Sequence, residues 1–136
     1  MAKKQTDKNR APVFAGSKYA TSKKGWVDFP SGKRFFMRSS WEEKYGMYID
    51  GLLSKKKIAD WDYEADTFWF EKIKRGVRSY TPDFRITNLD GSIEYHETKG
   101  WLDAKSKTKM NRMRIYHPTV TVKLIMRKEM KELGLL

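Results

Sequence analysis

Asp83 stands in a T-P-D-F stretch, Glu97 and Lys99 stand in E-T-K-G, and the turn-like N-L-D-G lies between them. Two carboxylates and an amine brought together suit phosphodiester hydrolysis. Carboxylate oxygens hold a hard cation such as Mg²⁺ while leaving it positions for water and a phosphate oxygen, and an ammonium group orients the attacking water and offsets charge at phosphorus. Everything depends on convergence. Glu97 and Lys99, two residues apart on an expected strand, leave the same face about 7 Å apart at the backbone, with Thr98 on the other face. Asp83 joins them in only one of two hairpin registers. A two-residue turn at Asp90-Gly91 sets it opposite Thr98, whereas a loop of Leu89, Asp90 and Gly91 sets it opposite Glu97. The second register assembles a site, and it is a recognised hairpin type in which glycine takes the left-handed conformation. The apolar pattern of Phe84 and Ile86 does not choose between them.

The elements that must position these groups are legible in outline. Trp41, Tyr45, Ile49, Leu52 and Leu53 form one stripe at helical spacing. Ser39 and Glu42 have the spacing of a capping box, and Lys55, Lys56 and Lys57 suit the negative end of that helix. Gly46 and Gly51 weaken it. An acid in its first turn, Glu42 or Glu43, completes a metal shell if this end abuts the sheet. Trp61 and Tyr63 alternate with acids, and Phe68, Trp69 and Phe70 form an aromatic run, so two strands are expected there. Two more strands flank N-L-D-G. The stretch from Asp103 to Tyr116 reads as a basic helix that His117-Pro118 breaks, followed by a buried strand at T-V-T-V-K-L-I-M and a short closing helix. The expected class is α/β, with a mixed central sheet flanked by helices.

Singly, each chemical group also has a plain structural role. Asp83 suits a turn, Glu97 with Lys99 a solvated ion pair, and Glu42 the reciprocal half of its cap. His96 and His117 read as structural or exposed.

Charge narrows the partner. The chain has 136 residues, a net charge of +12 and a pI near 9.8, a balance that attracts polyanions and releases counterions on binding. Nucleic acid is the leading partner. Residues 1–25 carry seven Lys and Arg against Asp7 and read as a basic arm. No apolar run approaches the roughly 18 residues of a membrane span and no signal-like stretch opens the chain, so a soluble protein of the cytoplasm is expected. With no cysteine, thiolate metal sites and thiol nucleophiles are excluded, and carboxylates must hold any metal. No small-molecule cofactor is called for.

P-D followed by E-x-K, after a helix that carries an acid, resembles the PD-(D/E)xK nuclease superfamily. R-S-S-W-E-E-K, Y-T-P-D-F, E-T-K-G and Y-H-P-T-V-T-V-K-L-I also follow the order and approximate spacing of the phage endonuclease I type of Holliday junction resolvase, over roughly residues 38 to 127, with a plan similar to archaeal junction resolvases. The resemblance implies a restriction-endonuclease-like core and Mg²⁺-dependent cutting of four-way junctions, with Mn²⁺ able to substitute. It implies Glu42, Asp83, Glu97 and the Thr98 backbone carbonyl as metal ligands, and Lys99 as the catalytic lysine. A homodimer is expected, since resolving a nearly two-fold junction takes two coordinated incisions. The arm is assigned to residues 1–34 and the nuclease domain to 35–136. Lys72, Lys74, Arg75, Arg78, Lys105, Lys109 and Arg112 are expected on the DNA-binding face, contacting phosphates rather than bases. The aromatic insertion at 61–70 and the long arm depart from the family pattern. Two alternatives stand beside this reading: a nicking or end-processing nuclease of phage replication or packaging with the same site, and a basic DNA-binding protein without catalysis.

Overall fold

The computed structural model describes residues 24–136, and the chain divides after Lys57 into two units. Lys3, Lys4, Lys8, Arg10, Lys18 and Lys23 of the expected arm lie outside the described residues.

Among the described residues the first unit opens with a β-hairpin that overlaps the end of the segment assigned to the arm. Strands β1 (Gly25–Asp28) and β2 (Arg34–Met37) pair antiparallel, with Trp26 opposite Phe36 and their rings edge to face at 5.6 Å. Gly32, at φ +101°, closes the turn and donates its N–H to the Phe29 carbonyl. Helix α1 (Ser40–Ser54) follows, with Ser39 as N-cap accepting from the Glu42 N–H at 3.2 Å. Its buried stripe is Trp41, Tyr45 and Ile49, as the spacing predicts, while Leu52 and Leu53, expected on the same stripe, are half-buried. Asp50, almost fully buried, accepts from the Ser31 N–H at 3.0 Å and the Ser31 hydroxyl at 2.6 Å, tying the helix to the hairpin turn. Gly46 leaves room for the Phe29 ring, which would stand 3.0 Å from a Cβ at that position.

The second unit is built on a four-stranded mixed sheet in the order β3-β6-β7-β8. Strands β3 (Asp60–Tyr63) and β6 (Phe84–Thr87) are antiparallel, as are β6 and β7 (Ile93–Thr98), while β8 (Thr121–Ile125) runs parallel to β7. A parallel neighbour needs a crossover, which helix α2 (Ala104–Tyr116) supplies. Helix α3 (Arg127–Glu132) closes the chain, with Met130 fully buried. The Phe68–Trp69 strand, β4, does not extend the sheet. It pairs with β5 (Ser79–Tyr80) as a separate two-stranded ribbon. The expectation of a buried strand at 119–126 is corrected: among the described residues β8 is an edge strand with a neighbour on one side only, and Ile125 alone in it is buried.

The two faces of the sheet differ. Trp61, Tyr63, Phe84 and Ile86 share one face and are buried, with the Trp61 and Phe84 rings 5.8 Å apart. Burying each of the larger rings contributes roughly 1.5–3 kcal/mol. On the other face, Phe70, Tyr80 and Met113 form a second core with Met110, Val120 and Val122 packed against it. Val122 pairs with Tyr95 and Leu124 with Glu97, so α2 and the ribbon cover the face from which Glu97 projects.

Candidate active site

Asn88 donates its N–H to the Ser92 carbonyl at 2.8 Å, and the loop between them is Leu89, Asp90 and Gly91 with Gly91 at φ +88°. The longer of the two candidate loops is therefore the one formed. The Asp90 carboxylate fixes it further by accepting from the Ser92 N–H and hydroxyl at 2.9 and 2.7 Å. Phe84 pairs with His96, and the next step of that register sets Asp83 opposite Glu97.

The two carboxylates are locked by fixed donors. Asp83 Oδ2 accepts from the Thr98 N–H at 2.9 Å and the Thr98 hydroxyl at 3.0 Å. Glu97 Oε1 accepts from the Asp83 N–H at 3.2 Å and the Tyr80 hydroxyl at 2.9 Å. Both of these bonds to Glu97 fall on the same oxygen. The Tyr80 hydroxyl and the Thr98 side chain are hydrogen-bond partners of these acids that sequence reasoning missed, and nothing in the spacing of Y-T-P-D marks Tyr80 as reaching a residue on another strand.

The electrostatics around Glu97 are dominated by burial. Burial pushes the Glu97 carboxyl above its ordinary range, and the Tyr80 hydroxyl, Lys99, the Asp83 amide and Lys109 pull it back only in part. Burial, with the charge of Glu97 next, drives the Tyr80 phenol far up, so it remains a donor. Lys109, from α2, lies 6.0 Å from the centre of the Tyr80 ring. Lys99 continues the β7 ladder with its N–H on the Ile125 carbonyl at 3.0 Å, and its side chain leaves the strand on the Glu97 side.

Glu42 and Glu43 lie in the first unit. Glu42 is buried, and its Oε1 accepts from the Arg38 N–H at 2.8 Å, one residue before the N-cap that a standard capping box would use. Burial raises the Glu43 carboxyl, opposed by Lys44. Among the described residues no group of three or more Asp, Glu, His or Cys side chains is gathered as a metal cage. The donor set within the second unit is thus two carboxylates and backbone, and it fits Mg²⁺, an ion commonly bound through one or two carboxylates while keeping several waters.

Lys72, Lys74, Arg75 and Arg78 are exposed on the connector between β4 and β5, and Lys105 is exposed near the start of α2. Arg112 has a structural task that its sequence position did not announce, since its guanidinium donates to the Val77 carbonyl and pins that basic connector to α2. His96 turns away from Glu97 and shares the Glu94 carboxylate with Lys123 and Asn88. His117 Nε2 donates to the Trp69 carbonyl of β4 at 2.9 Å, as a structural histidine does.

Comparison with protein-family models, with curated proteins and with solved structures returns no match.

Proposed function

We propose that this protein is a metal-dependent endonuclease that cuts branched DNA, in the manner of the PD-(D/E)xK junction resolvases that its motifs resemble, and that it acts as a homodimer. The observation that supports the reading is the link between the two acids: the Asp83 backbone N–H donates to the Glu97 carboxylate at 3.2 Å, and burial holds the Glu97 carboxyl above its ordinary range despite two nearby lysines. A dication bound beside them would offset the charge of the ionised acids. Asp83, Glu97 and the Thr98 carbonyl would hold it, and Mn²⁺ is expected to replace Mg²⁺. When bound, the ion supplies Lewis-acid activation of water and phosphate.

The chain's own residues do the remaining work. Thr98 fixes one oxygen of Asp83, and Tyr80 fixes one oxygen of Glu97, so both carboxylates are oriented before substrate arrives. Lys99 orients the attacking water and offsets charge at phosphorus. The exposed cations of the β4–β5 connector and α2 contact phosphates, which favours shape over sequence.

The test is cleavage of an immobile four-way junction against linear duplex of the same sequence, with Mg²⁺ and with chelator, for the wild type and Lys99→Ala. Paired, metal-dependent cuts near the branch, with Lys99→Ala binding but not cutting, support the reading. Equal cutting of junction, flap, nicked and linear DNA removes the resolvase assignment in favour of a nicking or end-processing enzyme. Binding without cutting by the wild type leaves a DNA-binding protein whose acids are structural.

A further inference from the structure

Trp101 is 71% exposed, more than any other large hydrophobic side chain among the described residues. Single exposed apolar residues are common and by themselves mean nothing. What sets this one apart is its mounting. On one side the Lys99 N–H is bonded to the Ile125 carbonyl at 3.0 Å; on the other, Asp103 caps α2 by accepting from the Ser106 N–H at 2.8 Å. Gly100, Trp101 and Leu102 form the short bridge between two anchored ends.

That bridge belongs to the candidate site. Two residues of chain reach at most about 7 Å, so the Trp101 backbone lies within that distance of Lys99. The space beside Gly100 is open, with no atom within 4 Å of where a Cβ would stand. The chain that carries the ring is positively charged: Lys99, Lys105, Lys107 and Lys109 accompany the single acid Asp103 over residues 99–109. An exposed indole on a lysine-rich segment fits a ligand that combines a flat π-face with negative charge close by. A nucleotide has both.

We propose that Trp101 is a stacking platform for a nucleobase exposed at the branch point, next to the phosphate that Lys99 serves. The proposal rests on the DNA-cleavage reading above. A fully paired duplex keeps its bases stacked on each other and offers no free face, whereas a branch point does. Trp101 thus supplies selectivity for branched DNA that phosphate contacts alone do not give.

The experiment uses an immobile four-way junction with 2-aminopurine placed in turn at each nucleotide of the branch, bound in chelator by the full chain. The proteins are the wild type, Trp101→Ala and Trp101→Phe, with thermal melts showing that all three are folded. The wild type is expected to change 2-aminopurine fluorescence at a branch position. Trp101→Ala is expected to abolish that change and to weaken junction binding roughly ten-fold, the size of one lost base-stacking contact, while linear-duplex affinity stays the same. Trp101→Phe is expected to keep most of both. Unchanged junction affinity and fluorescence in Trp101→Ala overturns the stacking role and leaves the nuclease reading intact. Conversion of Trp101→Ala to a slower-sedimenting monomer also overturns it, placing the ring between two copies of the chain. Failure of the wild type to bind either DNA removes the nuclease reading and this proposal with it.

Discussion

Tyr80 and Glu97 are joined by a 2.9 Å hydrogen bond in which the phenol donates to Oε1. With Tyr80 itself buried and its ionisation suppressed, this donor is present across the whole working pH range. Tyr80→Phe removes only the hydroxyl and keeps the ring in its core with Phe70 and Met113. Divalent-ion affinity is expected to fall roughly 10- to 100-fold, as for loss of other partners that orient a ligand. Titration with Mn²⁺ followed by paramagnetic resonance reads this without DNA. Unchanged affinity would show that Tyr80 serves packing alone.

Glu94 and Glu97, on one strand, are expected to respond to pH with opposite sign. Burial raises the Glu97 carboxyl above its unfolded value, so the folded state holds its proton more tightly, and stability falls as pH rises from that unfolded value through the raised one. Glu97→Gln is therefore expected to raise Tm at pH 7.5, with the gain vanishing below pH about 4.5. Thermal melts over that range check it.

Burial opposes the charge on Glu94 too, but hydrogen bonds from Lys123, His96 and Asn88 win and bring its carboxyl down to about 2. Burial outweighs the Glu94 contact at His96 and lowers its pKa, so His96 acts there chiefly as a neutral donor, and Lys123, at 2.8 Å, is the cation of the pair. The stability that Glu94 contributes is present above its unfolded value and is lost as pH falls toward 2. Glu94→Gln is expected to cost on the order of 2 kcal/mol at neutral pH, discounted for the exposed Lys123, and nothing in strong acid. Urea titration at pH 7 and pH 3 separates the two glutamates.

The two glycines of α1 are expected to diverge. A Cβ at Gly46 meets the Phe29 ring at 3.0 Å, so Gly46→Ala forces that ring aside at a cost of about 1 kcal/mol or more. Nothing stands within 4 Å of a Cβ at Gly51, and Gly51→Ala gains roughly 0.5–1 kcal/mol of helix propensity. Denaturant midpoints of the two variants moving in the same direction would contradict the close approach at Gly46.

Among the basic residues, Lys74→Ala and Arg112→Ala are expected to fail differently. Lys74 is exposed, and its loss is expected to lower the slope of log K against log salt by about 1 with no change in stability. Arg112 holds the Val77 carbonyl, so Arg112→Ala is expected to loosen the connector and lower Tm as well. Salt titrations beside melts distinguish the two.

The strongly periodic parts of the fold were legible in sequence. The Trp41, Tyr45, Ile49 stripe and the break at His117-Pro118 lie where the pattern put them. The first hairpin was obscured because Lys and Arg of the neighbouring segment masked the alternation in W-V-D-F and R-F-F-M; the turn residues Pro30, Ser31 and Gly32 were its visible signal. Strand identity was readable at Phe68-Trp69, but strand partner was not, since pairing is a long-range property. At the site, Asp83, Glu97 and Lys99 were recognisable by type. Their convergence was not, because two loop lengths fitted the same apolar pattern. The Tyr80 and Thr98 hydrogen bonds lay beyond any local signal, as they depend on contacts across strands.

The loop of Leu89, Asp90 and Gly91 has a consequence for how this gene tolerates length change. Surface hairpin tips ordinarily accept insertions and deletions with little effect. Here Leu89 is exposed, and removing it would leave Asn88 and Ser92 closing a two-residue loop of Asp90 and Gly91, with Phe84 still paired to His96 and Asp83 still beside Glu97. Loss of one residue from β7 between Ser92 and Glu97 would instead carry Thr98 into the place of Glu97 and turn every later side chain of that strand to the other face. A one-codon deletion within the strand would thus disassemble the carboxylate pair as thoroughly as replacing either acid, whereas viable relatives are free to shorten the tip.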